Sequence, residues 1–194
     1  MSSRADTIDT TGQAPYEQCG YCHEYDGNSK MPIYPRLAGQ MQQYLAKQLR
    51  DFRSGKRQGT MQATAELLSD EDIRIVAEYF SRQSPSNTPS SELNSKDKRR
   101  ARKLVKQGDS DRKIPACSNC HQQDASGSDV FPRLAGQHPE YLVSQLQDFK
   151  TGKRSNDSSR QMHQISRQLT HQEMQIIAQY LAGLTPAPPS PGNE

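Results

Sequence analysis

The sequence predicts an all-α protein built as two tandem, similar halves, and three observations predict it. The pentapeptide "CGYCH" at 19–23 returns as "CSNCH" at 117–121, and these copies hold all four cysteines of the chain. "PRLAGQ" occurs at 35–40 and again at 132–137, followed by "MQQYLAKQLRDFRSGKR" and "HPEYLVSQLQDFKTGKR", which keep Tyr, Leu, Gln, Leu, Asp, Phe, Gly, Lys and Arg in register. Apolar residues in both copies recur at the spacing of a helix face, with no competing strand-like alternation. The offset between copies is 98 at the first cysteine, 97 at the proline and 101 at a methionine, so only small loop changes separate them.

In chain order, "DTTGQAPYEQ" offers only a short helix before Cys19. Cys19 and Cys22 lie one helical turn apart on one face, and His23 directly behind can swing its imidazole under a ring held by both thiols. That pattern reads as c-type haem attachment, with the sulfurs on the porphyrin vinyl groups and the histidine on iron. Leu45, Leu49 and Phe52 at i, i+4, i+7 predict the next helix, stopped at Gly55. Met61 follows in a loop or weak turn after "GKR". "LSDEDIRIVAEYF" opens with Ser69 and carries Asp72 three residues on, a capping pattern ahead of the stripe Ile73, Val76, Ala77, Phe80. The Pro/Ser-rich "RQSPSNTPSSELNS" at 82–95 reads as a linker.

Residues 95–107 predict a leading helix for the second half, which then repeats the order. Cys117, Cys120 and His121 precede a helix marked by Leu142, Leu146 and Phe149 and ended by Gly152; after Met162, Thr170 with Glu173 caps a helix marked by Met174, Ile177, Ala178 and Leu181. The tail "TPAPPSPGNE" is expected to be extended and mobile. The expected organisation is an N-terminal domain over 1–84, a linker over 85–95, a C-terminal domain over 96–184 and the tail over 185–194.

Hydrophobic residues make up 31% of the chain, poor for a self-sufficient core, and a large apolar cofactor in each half would supply what the side chains lack. The net charge of +3 is uneven: residues 1–90 carry 10 basic and 11 acidic groups, residues 91–194 carry 15 and 11. Much of the excess lies in "KDKRRARKLVK" at 96–106, read as a solvated helix face, with docking to an acidic partner as the functional alternative. No nucleic-acid motif accompanies the charge, which excludes that class. No apolar run reaches membrane-spanning length, and "MSSRADTIDTTGQ" lacks a signal-peptide apolar region. Covalent haem attachment takes place outside the cytoplasm, so the expectation is a mature form whose export signal is gone. Finally, 21 Gln stand against 9 Glu. A surface of amides depends little on carboxylate ionisation, which points to an acidic compartment, with compositional drift as the competing account.

A histidine-bound haem iron leaves one axial position, and methionine is the usual sixth ligand of electron-carrying cytochromes c. Met61 and Met162 each lie eight residues before the capping residue, Ser69 or Thr170, and position in the repeat selects them. Met174 occupies the place of Ile73 and reads as core; Met41 is matched by His138, and Met31 reads as a packing residue. His138, His163 and His171 read as surface residues, His163 being a competitor to Met162. Pro35 and Pro132 follow their histidines by 12 and 11 residues. Each either makes a turn or offers its carbonyl to the imidazole Nδ1–H, fixing the tautomer.

With these residues assembled, the sequence resembles the cytochrome c4 family of dihaem c-type cytochromes, from about Cys19 to Leu184. The resemblance rests on both C-x-x-C-H motifs, both "PRLAGQ" segments, both "QLxDFxxGxR" helices and both methionine spacings. It implies two tandem class I cytochrome c domains related by pseudo-twofold symmetry, each wrapped around one covalent haem. It further implies thioether attachment of two haem c groups at Cys19, Cys22, Cys117 and Cys120, and axial pairs His23–Met61 and His121–Met162. The implied role is a non-enzymatic electron carrier in the bacterial periplasm or at the inner-membrane surface, delivering electrons toward a terminal oxidase. A blue copper protein and another cytochrome are further expected partners, and the oligomeric state is left open. A dihaem peroxidase-like enzyme needs an open iron position, against which two matched methionines argue. A zinc or disulfide module is the remaining alternative, but 94 residues separate Cys22 from Cys117, whereas paired zinc motifs stand about 15–20 apart. Tyr21 and Tyr25 depart from the smaller or polar residues commoner beside such a site; Tyr21 is expected to pack rather than to dock a partner.

Overall fold

The computed structural model describes residues 12–86 and 93–188. The first half contains α1 (Pro15–His23), α2 (Gln42–Arg53), α3 (Met61–Glu66) and α4 (Asp70–Ser81); the second contains α5 (Ser95–Gln107), α6 (Ser118–His121), α7 (Pro139–Thr151), α8 (Gln161–Gln168) and α9 (His171–Ala182). Among the described residues there is no strand, only two isolated bridges. Pro15 starts α1 where its missing N–H costs nothing. Ser69 and Thr170 each close a reciprocal capping box, with Asp72 and Glu173. α7 runs into Gly152 at φ +80°, the left-handed stop a glycine adopts without strain.

The apolar stripes meet as expected. In the first half Leu45, Leu49, Ile73, Val76, Ala77 and Phe80 form one buried cluster with Cys19; in the second Leu104, Val105, Leu142, Met174, Ile177, Ala178 and Leu181 form its counterpart. α5 contributes Ala101, Leu104 and Val105 from its inner face and packs on α9.

Several placements differ from expectation. Met61 is the first residue of α3 and Met162 the second of α8, not loop residues; "MQATAE" and "QMHQISRQ" lack Gly and Pro and are rich in helix formers. Ser95, within the expected linker, opens α5 behind the Asn94 cap, and residues 87–92 lie outside the described ones. The tail does not start free: Pro186 is buried against Gly136, and 189–194 lie outside the described residues. Gly39 and Gly136 sit at φ +62° and +68°, where a Cβ would come within 3.0 Å of Pro85 and 3.1 Å of Pro186. Each half thus folds its exit segment back over its own "PRLAGQ" glycine. His138 is buried, since its Nε2–H donates to Ser29 O of the other half at 2.8 Å. Met31 and Tyr21 are exposed rather than packed.

The halves meet through paired polar contacts. Arg36 N–H donates to Gln137 Oε1 (2.8 Å) and Gln137 Nε2 returns to Arg36 O (3.0 Å); Arg133 N–H donates to Gln40 Oε1 (2.7 Å) and Gln40 Nε2 returns to Arg133 O (3.1 Å). A second layer pairs Arg57 with Tyr141, Gln145 and Gln48, and Arg154 with Tyr44, Gln48 and Gln145. Arg57 stacks 4.5 Å above Phe52 and Arg154 stacks 4.4 Å above Phe149. Reciprocal partners at equivalent positions are what a pseudo-twofold axis requires.

Candidate cofactor sites

Each half presents two free thiols and a buried imidazole on one short helix. Cys19, Cys22 and His23 end α1; Cys117 caps α6, which carries Cys120 and His121. His23 Nδ1 faces Pro35 O at 2.8 Å and His121 Nδ1 faces Pro132 O at 2.9 Å. A carbonyl only accepts, so Nδ1 carries the proton and Nε2 is left with a lone pair for a metal. Burial lowers both imidazole pKa values, opposed by the proline carbonyls, and so favours the neutral, ligating form. Tyr34 packs edge-on against His23 at 5.9 Å and Phe131 against His121 at 6.2 Å. These rings were not singled out in the sequence, although each directly precedes the proline.

Burial pushes the Cys19 and Cys117 thiols up to about 11, where a thiolate is disfavoured but a neutral thioether sulfur is at ease. Zinc requires thiolates and further ligands, and no group of three or more metal-binding side chains gathers among the described residues. The donor set therefore fits a covalently held haem in each half, with cysteines for attachment, an oriented histidine for one axial position and a methionine for the other. Met61 packs against the cluster containing Cys19. Met162 is held from behind, its N–H donating to Asp157 Oδ2 at 2.8 Å. His163 donates from Nδ1 to Phe149 O at 2.7 Å, and Met41 only precedes α2. When bound, such a group supplies one-electron chemistry at its iron.

Two helical domains, each built around a Cys-x-x-Cys-His set with a carbonyl-anchored imidazole, define a two-domain c-type cytochrome. The cytochrome c family profile matches residues 98–185, and the profile described as cytochrome c oxidase, cbb3-type, subunit III matches residues 8–80. Cytochrome c4 of Stutzerimonas stutzeri is 36% identical over 186 residues, spanning 89% of this chain and 87% of that protein. A protein of Thiomonas intermedia named thiosulfate dehydrogenase electron acceptor is 36% identical over 167 residues, spanning 84% and 77%. The crystal structure of reduced recombinant cytochrome c4 from Pseudomonas stutzeri superposes with a TM-score of 0.80 at 34% identity, covering 89% of this chain and 98% of that one. The chain belongs to the cytochrome c4 family, and it carries two covalently bound haem c groups.

Proposed function

We propose that this dihaem electron-transfer cytochrome carries single electrons in the bacterial periplasm, at or near the inner-membrane surface, toward a terminal oxidase. In this reading Cys19, Cys22, Cys117 and Cys120 form the thioethers, and His23–Met61 and His121–Met162 are the axial pairs. Pro35 and Pro132 orient the two imidazoles through their carbonyls. The observation that carries the reading is the duplicated geometry: the same proline carbonyl on the same ring nitrogen in both halves. With both axial positions filled in each half no site is open to substrate, so the protein is a carrier and not an enzyme. Little has to rearrange when the electron moves, and the protein supplies ligands, a dry pocket and docking surfaces.

The thiosulfate dehydrogenase acceptor among its relatives favours a dehydrogenase as one electron donor; a blue copper protein or another cytochrome would serve on the same terms. The test is rapid mixing of the reduced holoprotein with a terminal oxidase of a periplasm-facing respiratory chain. Two equivalents of electrons delivered per chain support the proposal, and an inert mixture refutes the oxidase as acceptor.

A further inference from the structure

From Arg154 to Met162 the chain runs eight residues, against four from Arg57 to Met61. The surplus carries the backbone through two consecutive left-handed residues just ahead of α8, Ser159 at φ 58° and Arg160 at φ 53°. Neither is glycine, so each conformation costs energy and needs neighbours that hold it. The surplus also supplies Asn156 and Asp157, whose contacts point to opposite halves.

Asp157 faces the second haem site. Its Oδ2 accepts the Met162 N–H at 2.8 Å, a bond that Arg160 at the cap position cannot make, since its side chain has no acceptor. Its Oδ1 is buried without a partner, so the carboxyl is seated for that one bond rather than for its own solvation.

Asn156 faces the first half. Its Nδ2 donates to Gln48 Oε1 at 2.9 Å and to Asp51 Oδ2 at 2.6 Å, and its carbonyl accepts from Lys47 Nζ at 2.6 Å. All three partners lie on α2, and Lys47 also pairs with Asp51. From its own half Arg154 Nε donates to Asn156 Oδ1 at 2.9 Å. Both ends of the amide are engaged, which fixes where Asp157 begins. A continuous run of contacts therefore leads from α2 of the first half, through Asn156 and Asp157, to the backbone of Met162.

The first haem site has no such run among the described residues. Met61 opens α3 behind Thr60, which makes no side-chain cap, and the hydrogen bonds of α7 to this stretch stop at Arg57. Ser144 stands where α2 has Lys47, and its hydroxyl turns back to Tyr141 O.

We propose that Asn156 and Asp157 are positioning residues through which α2 of the first half sets the iron–sulfur bond of the second haem, while the methionine of the first haem is set within its own half. A thioether ligand favours Fe(II), so loosening Met162 lowers the potential of the second haem alone. This rests on reading Met162 as the sixth ligand of that iron.

The test uses the oxidised two-haem holoprotein and the variants Asp157→Ala, Asp157→Asn and, across the seam, Lys47→Met. Free imidazole competes with an axial methionine, and the methionine methyl resonance of each haem, assigned with Met61→Ala and Met162→Ala, shows which iron it takes. Asp157→Ala and Lys47→Met should each raise the imidazole affinity of the second haem about fivefold, the size of a lost capping bond, and leave the first unchanged. The potential of the second haem should fall in the same two variants. Asp157→Asn keeps an acceptor for the Met162 N–H and should match the parent. If Lys47→Met leaves the second haem unchanged or moves both haems alike, or if Asp157→Asn behaves as Asp157→Ala does, the proposal is overturned while the ligand reading stands. A methyl resonance that survives Met162→Ala overturns the ligand reading and the proposal with it. Should Asp157→Ala fail to fold, Lys47→Met decides alone, since that side chain is partly exposed.

Discussion

The two halves hold the same cofactor set with different supports. In the second, α5 packs its Ala101, Leu104 and Val105 face onto α9, and Glu173 at 1% exposure accepts from Arg100 (3.0 Å) and Arg112 (2.8 Å) while closing the cap of α9. The first half has no described counterpart of α5. Its α1 lies directly on α4, where Tyr16 stacks on Tyr79 at 3.8 Å and Tyr79 donates to Tyr25 O at 2.9 Å. Asp72, equivalent to Glu173, caps α4 in the open. The rims differ as well: Tyr21, Tyr25, Met31 and Ile33 are exposed around the first motif, whereas Asn119 and Gln123 occupy the places of the first two in the second. The lesson is that the Cys-x-x-Cys-His geometry tolerates a change of scaffold as long as the proline carbonyl reaches the imidazole.

The strongest test of equivalence between the halves is ligand removal. Met61→Ala and Met162→Ala should each remove half of the near-infrared Fe–S(Met) absorption, and the double variant all of it. An unchanged band in either single variant reassigns that ligand. Next in size is the contrast between caps. Glu173→Ala removes the acceptor of the hydrogen bonds from Arg100 and Arg112 together with the cap of α9 and should cost about 3 kcal/mol, whereas Asp72→Ala loses an exposed cap at about 1 kcal/mol. Denaturant unfolding of the holoproteins measures both, and equal losses would mean that the arginines contribute nothing.

Acid sharpens the same contrast. Desolvation raises the Glu173 pKa, but hydrogen bonds from Arg112, Thr170 and Arg100 outweigh it and hold the carboxyl at about 2. A depressed carboxylate stabilises the fold above its unfolded value of 4.5 and loses that contribution as pH falls through about 2, so the window is 4.5 down to 2. The linked stability is about 3 kcal/mol. The stability of Glu173→Gln should therefore fall less across that window than that of the parent. A parent that unfolds around pH 4 would reject acid adaptation of the amide-rich surface.

The smallest effect is on encounter. Arg100 is committed to Glu173, which leaves Lys96, Lys98, Arg99, Arg102 and Lys103 as the free basic face of α5. Replacing Lys98, Arg99 and Arg102 with Gln should slow association with an acidic redox partner about tenfold at low salt and change little at high salt. Unaltered rates with every partner would make the run a solvated face only.

The helices were legible because each buries one stripe at regular spacing, and Ser69 and Thr170 announce their own caps. Met61 and Met162 were legible by position but not by conformation, since a helix of six or eight residues contains too few turns to show periodicity. The seam was not legible. Arg36, Gln40, Arg57, Arg133, Gln137 and Arg154 read as surface by residue type, and only pairing across the two copies makes their burial affordable. The signal available was that both copies keep the same polar residues in "PRLAGQ" and "GKR". His138 escaped for the same reason, its acceptor being a backbone carbonyl that no sequence pattern marks.

Those reciprocal glutamine and arginine contacts amount to an isologous dimer interface tied into one polypeptide. Either half, produced alone, would display a self-complementary patch whose donors find their acceptors on a second copy of itself. The fused chain forecloses that pairing by keeping the proper mate at high effective concentration. Each half is then free to diverge on its outer rim, while a change at any one seam position is answered by a partner that is no longer its twin.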